Sequence, residues 1–238
     1  MIEGLNVLKD ARTEIDSILA KYPNSRSATI PLLFLAQSVE GYVSEAGMRD
    51  VAAILRLTPA EVLAVASFYT MLKKSPQGTY LISVCRNITC SHMGGRKVLK
   101  ALEDRLGIEA GGTTADEMFS LEAAECLATC DGAPSLQVNY EDFYKVSSEE
   151  AVDIVDLLQK GETVRSVAGA PVRTSKEIAR ETALTGTRLP HERMEVDSEV
   201  PAGGETGSAQ VATGHRPPVR GGAGERDVEA TPPSGEGA

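Results

Sequence analysis

The apolar residues of the first seventy positions recur with the period of an α-helix. One helical face of the first segment is shared by Leu8, Ala11, Ile15, Ile18 and Leu19. This segment ends at Tyr22-Pro23, and Pro31 opens a second apolar segment that stops at Gly41. The pattern therefore predicts two short helices with an apolar side each.

Two further helices carry start signals. Ser44 can cap a third helix, which places Met48, Val51 and Leu55 on one side. The tetrapeptide 58–61, Thr-Pro-Ala-Glu, combines an N-cap residue, proline at the first helical position and glutamate at the third. Four short helices joined by short loops predict a small helical bundle over residues 1–75.

The period changes after residues 73–78. We predict a strand over 79–84, a helix over 92–106, a weak strand over 118–123 and a hairpin formed by 136–139 and 143–146. Ser147 and Glu150 form a capping box for a last helix. The order β-α-β-β-β-α predicts a second domain of the α+β or α/β class over 76–160, with helices covering a mixed sheet.

The remaining residues, 161–238, show no sustained pattern. Nine glycines and five prolines occur among the thirty-eight residues of 201–238. Such a segment buries too little apolar surface to offset its ordering entropy, so we predict a disordered C-terminal tail with a short helical piece near 175–184. Cutting the chain after Lys160 is accordingly expected to leave its stability unchanged.

Composition narrows the function classes. The net charge of −10 argues against nucleic-acid binding, which needs an excess of Lys and Arg. No apolar run approaches the roughly 20 residues that span a bilayer, and the first residues form neither a signal nor a transit peptide. We expect a cytoplasmic protein, in which cysteines more often bind metal or carry redox chemistry than form disulfides.

The four cysteines form two pairs with different spacing. Cys85 and Cys90 make a C-x4-C pair, Cys126 and Cys130 make a C-x3-C pair, and thirty-five residues separate the pairs. Each pair follows a predicted strand, so two neighbouring strand-end loops could bring four thiolates together. Thiolates select zinc or iron–sulfur, and these wide spacings favour a two-iron cluster, with zinc or simple thiols and disulfides as alternatives.

Other chemistries find little support. The chain has no dinucleotide-binding fingerprint, P-loop, nucleophile elbow or zinc-protease motif. His92 could be a further ligand or a proton relay, although a polar residue in a helix is the simpler interpretation. Because no motif predicts a substrate site, the cysteine pattern indicates a non-catalytic electron carrier that needs a partner.

Several stretches resemble one family closely. These are 27–33 (SATIPLL), 67–71 (SFYTM), 112–114 (GTT) and 125–127 (ECL), together with both cysteine spacings and the gap between them. Over residues 6–160 the chain resembles the 24 kDa subunit, also called the E subunit, of NADH:quinone oxidoreductase. The resemblance implies a thioredoxin-like domain behind a helical bundle, with one 2Fe–2S cluster held by Cys85, Cys90, Cys126 and Cys130.

The same resemblance implies partners and a location. The chain would dock on the flavin-bearing subunit, which binds FMN and NADH, and on other hydrophilic-arm subunits of respiratory complex I. It would lie at the cytoplasmic face of the cell membrane without inserting into it. The homologous subunit of an NAD-linked hydrogenase or formate dehydrogenase is an alternative, and a zinc-stabilised adaptor is another.

Two stretches of the sequence bear on details of the expected cysteine loop and docking face. The family commonly has Leu-Gly-Ala between the last two cysteines, where this chain has Leu127-Ala128-Thr129. Either the loop is reshaped here, or the position of Ala128 does not need positive φ. Phe68 and Tyr69 are expected to close the bundle core, whereas the alternative makes them, with Lys73 and Lys74, part of the docking face.

Overall fold

The computed structural model describes residues 4–186, and it contains a helical bundle followed by a four-stranded sheet. The elements are α1 (Arg12–Leu19), α2 (Thr29–Glu40), α3 (Glu45–Leu55), α4 (Pro59–Phe68), β1 (Tyr80–Cys85), α5 (Ile88–His92), α6 (Gly95–Leu106), β2 (Phe119–Ala124), β3 (Leu136–Val138), β4 (Glu141–Phe143), α7 (Ser148–Gln159) and α8 (Ser175–Thr185). The predicted combination of a bundle and a mixed sheet is confirmed.

The bundle forms where local signals predict it. Ser44 caps α3 by accepting a hydrogen bond from the Gly47 N–H, and Thr58 and Glu61 form the predicted capping box of α4. Gly41 ends α2 with a left-handed φ of 89°, which glycine adopts without steric cost. Two bounds differ from the prediction: α2 begins at Thr29, two residues before Pro31, and α1 spans only Arg12–Leu19, so Leu8 and Ala11 precede it and it ends before Tyr22.

The sheet has the strand order β2-β1-β3-β4. β1 and β2 run parallel, whereas β3 is antiparallel to both β1 and β4. One apolar cluster fills the bundle, and a second lies around the sheet, α6 and α7. The sheet therefore presents the carboxyl ends of β1 and β2 at one edge, where the cysteine-bearing loops follow.

Two predicted elements are corrected in this domain. The helix expected over 92–106 begins only at Gly95, as α6, and the separate short helix α5 precedes it, because Gly94 adopts a φ of 107° between them. The hairpin turn is shorter than expected, since Asn139 and Tyr140 take φ values of 47° and 70° and β4 already begins at Glu141. Gly107 ends α6 in the left-handed region.

The predicted tail is wrong over residues 161–186. Val164 and Ala170 are buried, and α8 packs against α2 with Ala179 and Ala183 in the bundle core. The short helix expected near 175–184 is confirmed, and a capping box of Thr174 and Glu177 starts it. Small alanine side chains let α8 approach α2 closely, which an argument from apolar pattern alone underestimates. The prediction for 187–238 lies outside the described residues.

Within residues 4–186, none of the helices is long and apolar enough to cross a membrane alone. By length and composition α3 and α4 together could do so, but they are bent by 119° at the break between them.

Candidate functional site

The two parallel strands bring the cysteine-bearing segments to the same edge of the sheet. Cys85 is the last residue of β1 and is paired with Ala124, the last residue of β2. The chain then leaves β2 into the loop that carries Cys126 and Cys130. In addition, the Arg86 N–H donates to the Ala124 carbonyl, and the Cys85 sulfur lies 4.0 Å from the Glu125 carbonyl oxygen. Cys85 therefore lies directly beside the start of the second cysteine loop.

Cys90 is placed by the short helix α5. Asn87 caps this helix, and the side-chain oxygen of Asn87 accepts a hydrogen bond from the Ile88 N–H. After the break at Gly94, α6 begins against the backbone of the first cysteine pair. A Cβ atom at Gly95 would lie 2.8 Å from the Cys90 carbonyl oxygen and 2.9 Å from that of Cys85. Glycine is thus required at 95 for the loop 85–90 to close over α6.

Ser135 connects both cysteine segments. This buried residue accepts a hydrogen bond from the Cys85 N–H through its carbonyl, at 3.2 Å. Its hydroxyl lies 3.6 Å from the Cys90 sulfur and accepts a hydrogen bond of 2.8 Å from the hydroxyl of Thr129. Thr129 directly precedes Cys130. Sequence reasoning missed Ser135, because no local pattern relates it to residues 85–90.

The backbone of the loop between Cys126 and Cys130 shows whether position 128 needs positive φ. Ala128 has a φ of 61°, in the left-handed region where glycine is ordinarily favoured. In this conformation its N–H donates to the Cys126 sulfur at 3.3 Å. The position therefore does adopt positive φ, and the loop keeps that conformation with alanine.

The four thiols differ in exposure. Cys85 and Cys90 are buried in a small apolar cluster with Ala133, whereas Cys126 and Cys130 are exposed. All four are free, so the disulfide alternative finds no support. Within the described part of the chain, no three His, Cys, Asp or Glu side chains already surround a common metal position. The convergence of all four thiols therefore stays a prediction.

The chemistry of these donors fits an iron–sulfur cluster. Four soft thiols are carried by two neighbouring loops, and the described hydrogen-bond donors near them are neutral backbone and hydroxyl groups. His92 is exposed at the last position of α5, as expected for a polar helix residue.

The expectation that Phe68 closes the bundle core is wrong. Phe68 is 77% exposed and Tyr69 is 37% exposed, and their rings meet edge to face with centroids 5.0 Å apart. Leu72 is the buried residue of this segment. Lys73 is not a free surface charge, because its ammonium group pairs with the Glu122 carboxylate at 2.8 Å.

The comparisons with known proteins converge on one family. Residues 15–159 match the family model described as thioredoxin-like 2Fe-2S ferredoxin. The chain is 40% identical over 204 residues to the E subunit of NADH-quinone oxidoreductase from Mycobacterium bovis, a match that covers 85% of this chain and 79% of the relative. It is 34% identical over 159 residues to the second E subunit of the same oxidoreductase from Rhizobium meliloti, covering 67% and 95%.

A solved structure shares the fold. A chain of an NAD+-reducing NiFe hydrogenase in the H2-reduced state superimposes with a TM-score of 0.50 at 22% identity. The match covers 56% of this chain and 22% of the longer hydrogenase chain. At this identity the likeness concerns the fold alone.

Proposed function

The chain belongs to the thioredoxin-like 2Fe-2S ferredoxin family and, within it, to the E subunits of NADH-quinone oxidoreductases, and we propose that its four cysteines hold one 2Fe–2S cluster. The ligands are Cys85, Cys90, Cys126 and Cys130. The chain serves as a non-catalytic electron-transfer subunit of the oxidoreductase. When bound, the cluster supplies the capacity to accept and donate one electron at a time.

One observation carries this proposal. Two parallel strands end side by side, and the two loops that follow them carry four free thiols. Ser135 links the two loops, because it contacts Cys85 and Cys90 in the first and Thr129 in the second. Among residues 4–186, carboxylates and imidazoles, which suit other metals, form no group of three or more that could hold a metal ion. The family match covers this whole region.

The residues of the chain control the surroundings of the cluster. Burial of Cys85 and Cys90 keeps water from two of the ligands, while Cys126 and Cys130 face the surface, where a redox partner can approach. The N–H of Ala128 donates to the Cys126 sulfur, and such bonds to ligand sulfur help to set a cluster's reduction potential.

The partner follows from the family. We propose that the chain assembles with the flavin-bearing subunit, which binds FMN and NADH, and with other subunits of the hydrophilic arm of complex I. The assembly would lie at the cytoplasmic face of the cell membrane. The hydrogenase likeness extends to the fold alone, so relatives at 40% identity favour the quinone-linked complex over the hydrogenase or formate dehydrogenase alternative.

The proposal is tested by purifying the chain without oxygen and measuring iron, sulfide, zinc and visible absorption. We expect two irons per chain and a visible cluster spectrum. Replacing any one of the four cysteines by Ala should abolish that spectrum, because alanine offers no ligand atom. Thr89→Ala, next to Cys90 on the exposed side of α5, is the matched control and should keep it.

Two results would count against this assignment. A cysteine whose replacement by Ala leaves iron content and spectrum intact is not a ligand. A colourless wild-type protein loaded with zinc would instead support the zinc-stabilised adaptor.

A further inference from the structure

The outward side of α4 and the turn after it are apolar, where a surface helix ordinarily carries charge. We call this surface the α4 face and define it as Leu63, Phe68, Tyr69 and Met71, which are 47%, 77%, 37% and 42% exposed. The one ionisable residue of α4, Glu61, is engaged at the helix start with Thr58 and Arg26. A helix that is apolar on both sides is typical of a helix buried by a neighbour.

The α4 face is held in a defined shape by contacts beneath it. The side-chain amide of the buried residue Gln37 donates to the Met71 carbonyl at 3.1 Å, and its oxygen accepts from the Lys73 N–H at 2.8 Å. Leu72, between them, points into the bundle core. The aromatic pair is therefore presented outward by a fixed turn, an arrangement typical of the anchor residues of protein interfaces.

The end of the α4 face is connected to the cysteine loop through Lys73, which follows Met71 by two residues. Lys73 pairs with Glu122, and Glu122 precedes Cys126 by only four residues of chain. The path from this ion pair to Cys126 is therefore at most about 14 Å along the backbone. A standard interface buries about 800 Å² on each partner, a patch roughly 30 Å across, so one partner can cover both places.

A second copy of this chain is a poor occupant of the α4 face. Each copy carries a net charge of −10, and like charge opposes self-association. The exposed Lys74 at the rim instead favours a partner with acidic groups at the matching position.

We propose that the α4 face is part of the docking surface for the redox partner that approaches the exposed cysteines. That partner presents an apolar groove that accepts the Phe68–Tyr69 pair, with acidic groups beside it. This inference rests on the proposed function, because it takes the occupant to be the subunit with which the chain exchanges electrons. It adds a contact on the helical bundle to one at the cysteine loop.

The test uses the full chain and, as the probe, the flavin-bearing subunit from the same organism. Phe68→Glu and Leu63→Glu are compared with Val167→Glu, an apolar residue of similar exposure to Tyr69 on a different segment. Affinity for the flavin-bearing subunit, far-UV circular dichroism and visible absorption are measured for each variant. We expect both substitutions in the α4 face to weaken binding at least tenfold with unchanged fold and absorption, and Val167→Glu to bind normally.

The other outcomes separate the two proposals. Unchanged affinity of Phe68→Glu and Leu63→Glu would overturn the docking surface and leave the cluster assignment untouched. A wild-type chain without a cluster spectrum that still binds through Phe68 would overturn the proposed function and keep the surface as an interface. Self-association of the wild type that Phe68→Glu abolishes, seen by analytical ultracentrifugation, would identify a second copy as the occupant and overturn the proposal.

Discussion

Ala128 carries a Cβ at a position of the cysteine loop whose backbone conformation favours glycine. Its φ of 61° directs its N–H to the Cys126 sulfur, and that conformation costs a residue with a Cβ about 1 kcal/mol. Ala128 is itself exposed, so its methyl group fills no space in a core. The hydrogen bond to sulfur explains why the conformation is kept.

Replacing Ala128 by Gly should therefore stabilise the chain. We expect a gain of about 0.5–1 kcal/mol, or a rise of roughly 2–3 °C in Tm, because glycine adopts positive φ without steric cost. Thermal unfolding of the iron-loaded protein measures this. Ala124→Gly, in β2, is the control and should lower Tm, since a strand loses stability when glycine replaces alanine. A lower Tm for Ala128→Gly would contradict the argument.

At the scale of the elements, α8 changes the architecture most. It covers α2, of which eight residues are buried: Thr29, Leu32, Leu33, Phe34, Leu35, Ala36, Gln37 and Ser38. The segment that leads to α8 also contributes Val164 to the apolar cluster around the sheet. This part of the chain thus spans both clusters, and it lies within the region that sequence reasoning assigned to the tail.

Truncating the chain tests whether residues 161–186 form a tail, as the sequence predicts, or pack on the rest of the molecule, as the structure shows. Ending the chain after Lys160 should lower stability by roughly 3 kcal/mol, or Tm by about 10 °C, because apolar side chains on α2 and around Val164 become exposed. Ending it after Gly186 retains α8 and is the matched control, with little change expected. Equal Tm values for the two truncated proteins would show that α8 contributes nothing to stability.

At the scale of the whole molecule, the ion pair of Lys73 and Glu122 ties the end of the bundle to the sheet. The two side chains are 18% and 36% exposed, and Glu122 also accepts a hydrogen bond from the Ser83 hydroxyl. Burial, and then the negative charge of Glu122, raise the pKa of Tyr140 to about 12. The Tyr140 phenol next to this pair therefore stays neutral to higher pH than an ordinary tyrosine.

A double-mutant cycle measures this connection. Lys73→Ala should cost about 1–2 kcal/mol, because it leaves the half-buried Glu122 carboxylate without its counter-ion. Combined with Glu122→Gln, the loss should be less than additive by at least about 0.5 kcal/mol. Lys74→Ala, an exposed neighbour, should change stability by less than about 0.5 kcal/mol.

Additive losses in the cycle would show that the pair does not couple the two parts of the molecule.

The ion pair also affects how a charge-reversal variant at Lys73, made to test whether Lys73 belongs to a docking face, has to be interpreted. Such a variant breaks an internal contact, so weaker partner binding would not by itself place Lys73 in an interface.

The sequence by itself determined the features that depend on neighbours within a few residues. Thr58 and Glu61, and Ser147 and Glu150, form capping boxes as predicted, since each box joins residues three apart. The strands β1 and β2 were predicted to within about one residue at each end. The cysteine spacing indicated the chemistry of the site, because the ligand type is carried by the residues themselves.

Only the tertiary structure decided the features that depend on contacts between distant residues. Ser135 reaches Cys85 and Cys90 across at least forty-five positions, and α8 packs on α2 from the other end of the described chain. The exposure of Phe68 was also decided at this level, where Leu72 and not Phe68 joins the bundle core. An apolar side chain does not specify which neighbour will cover it, so its burial follows from packing and not from local pattern.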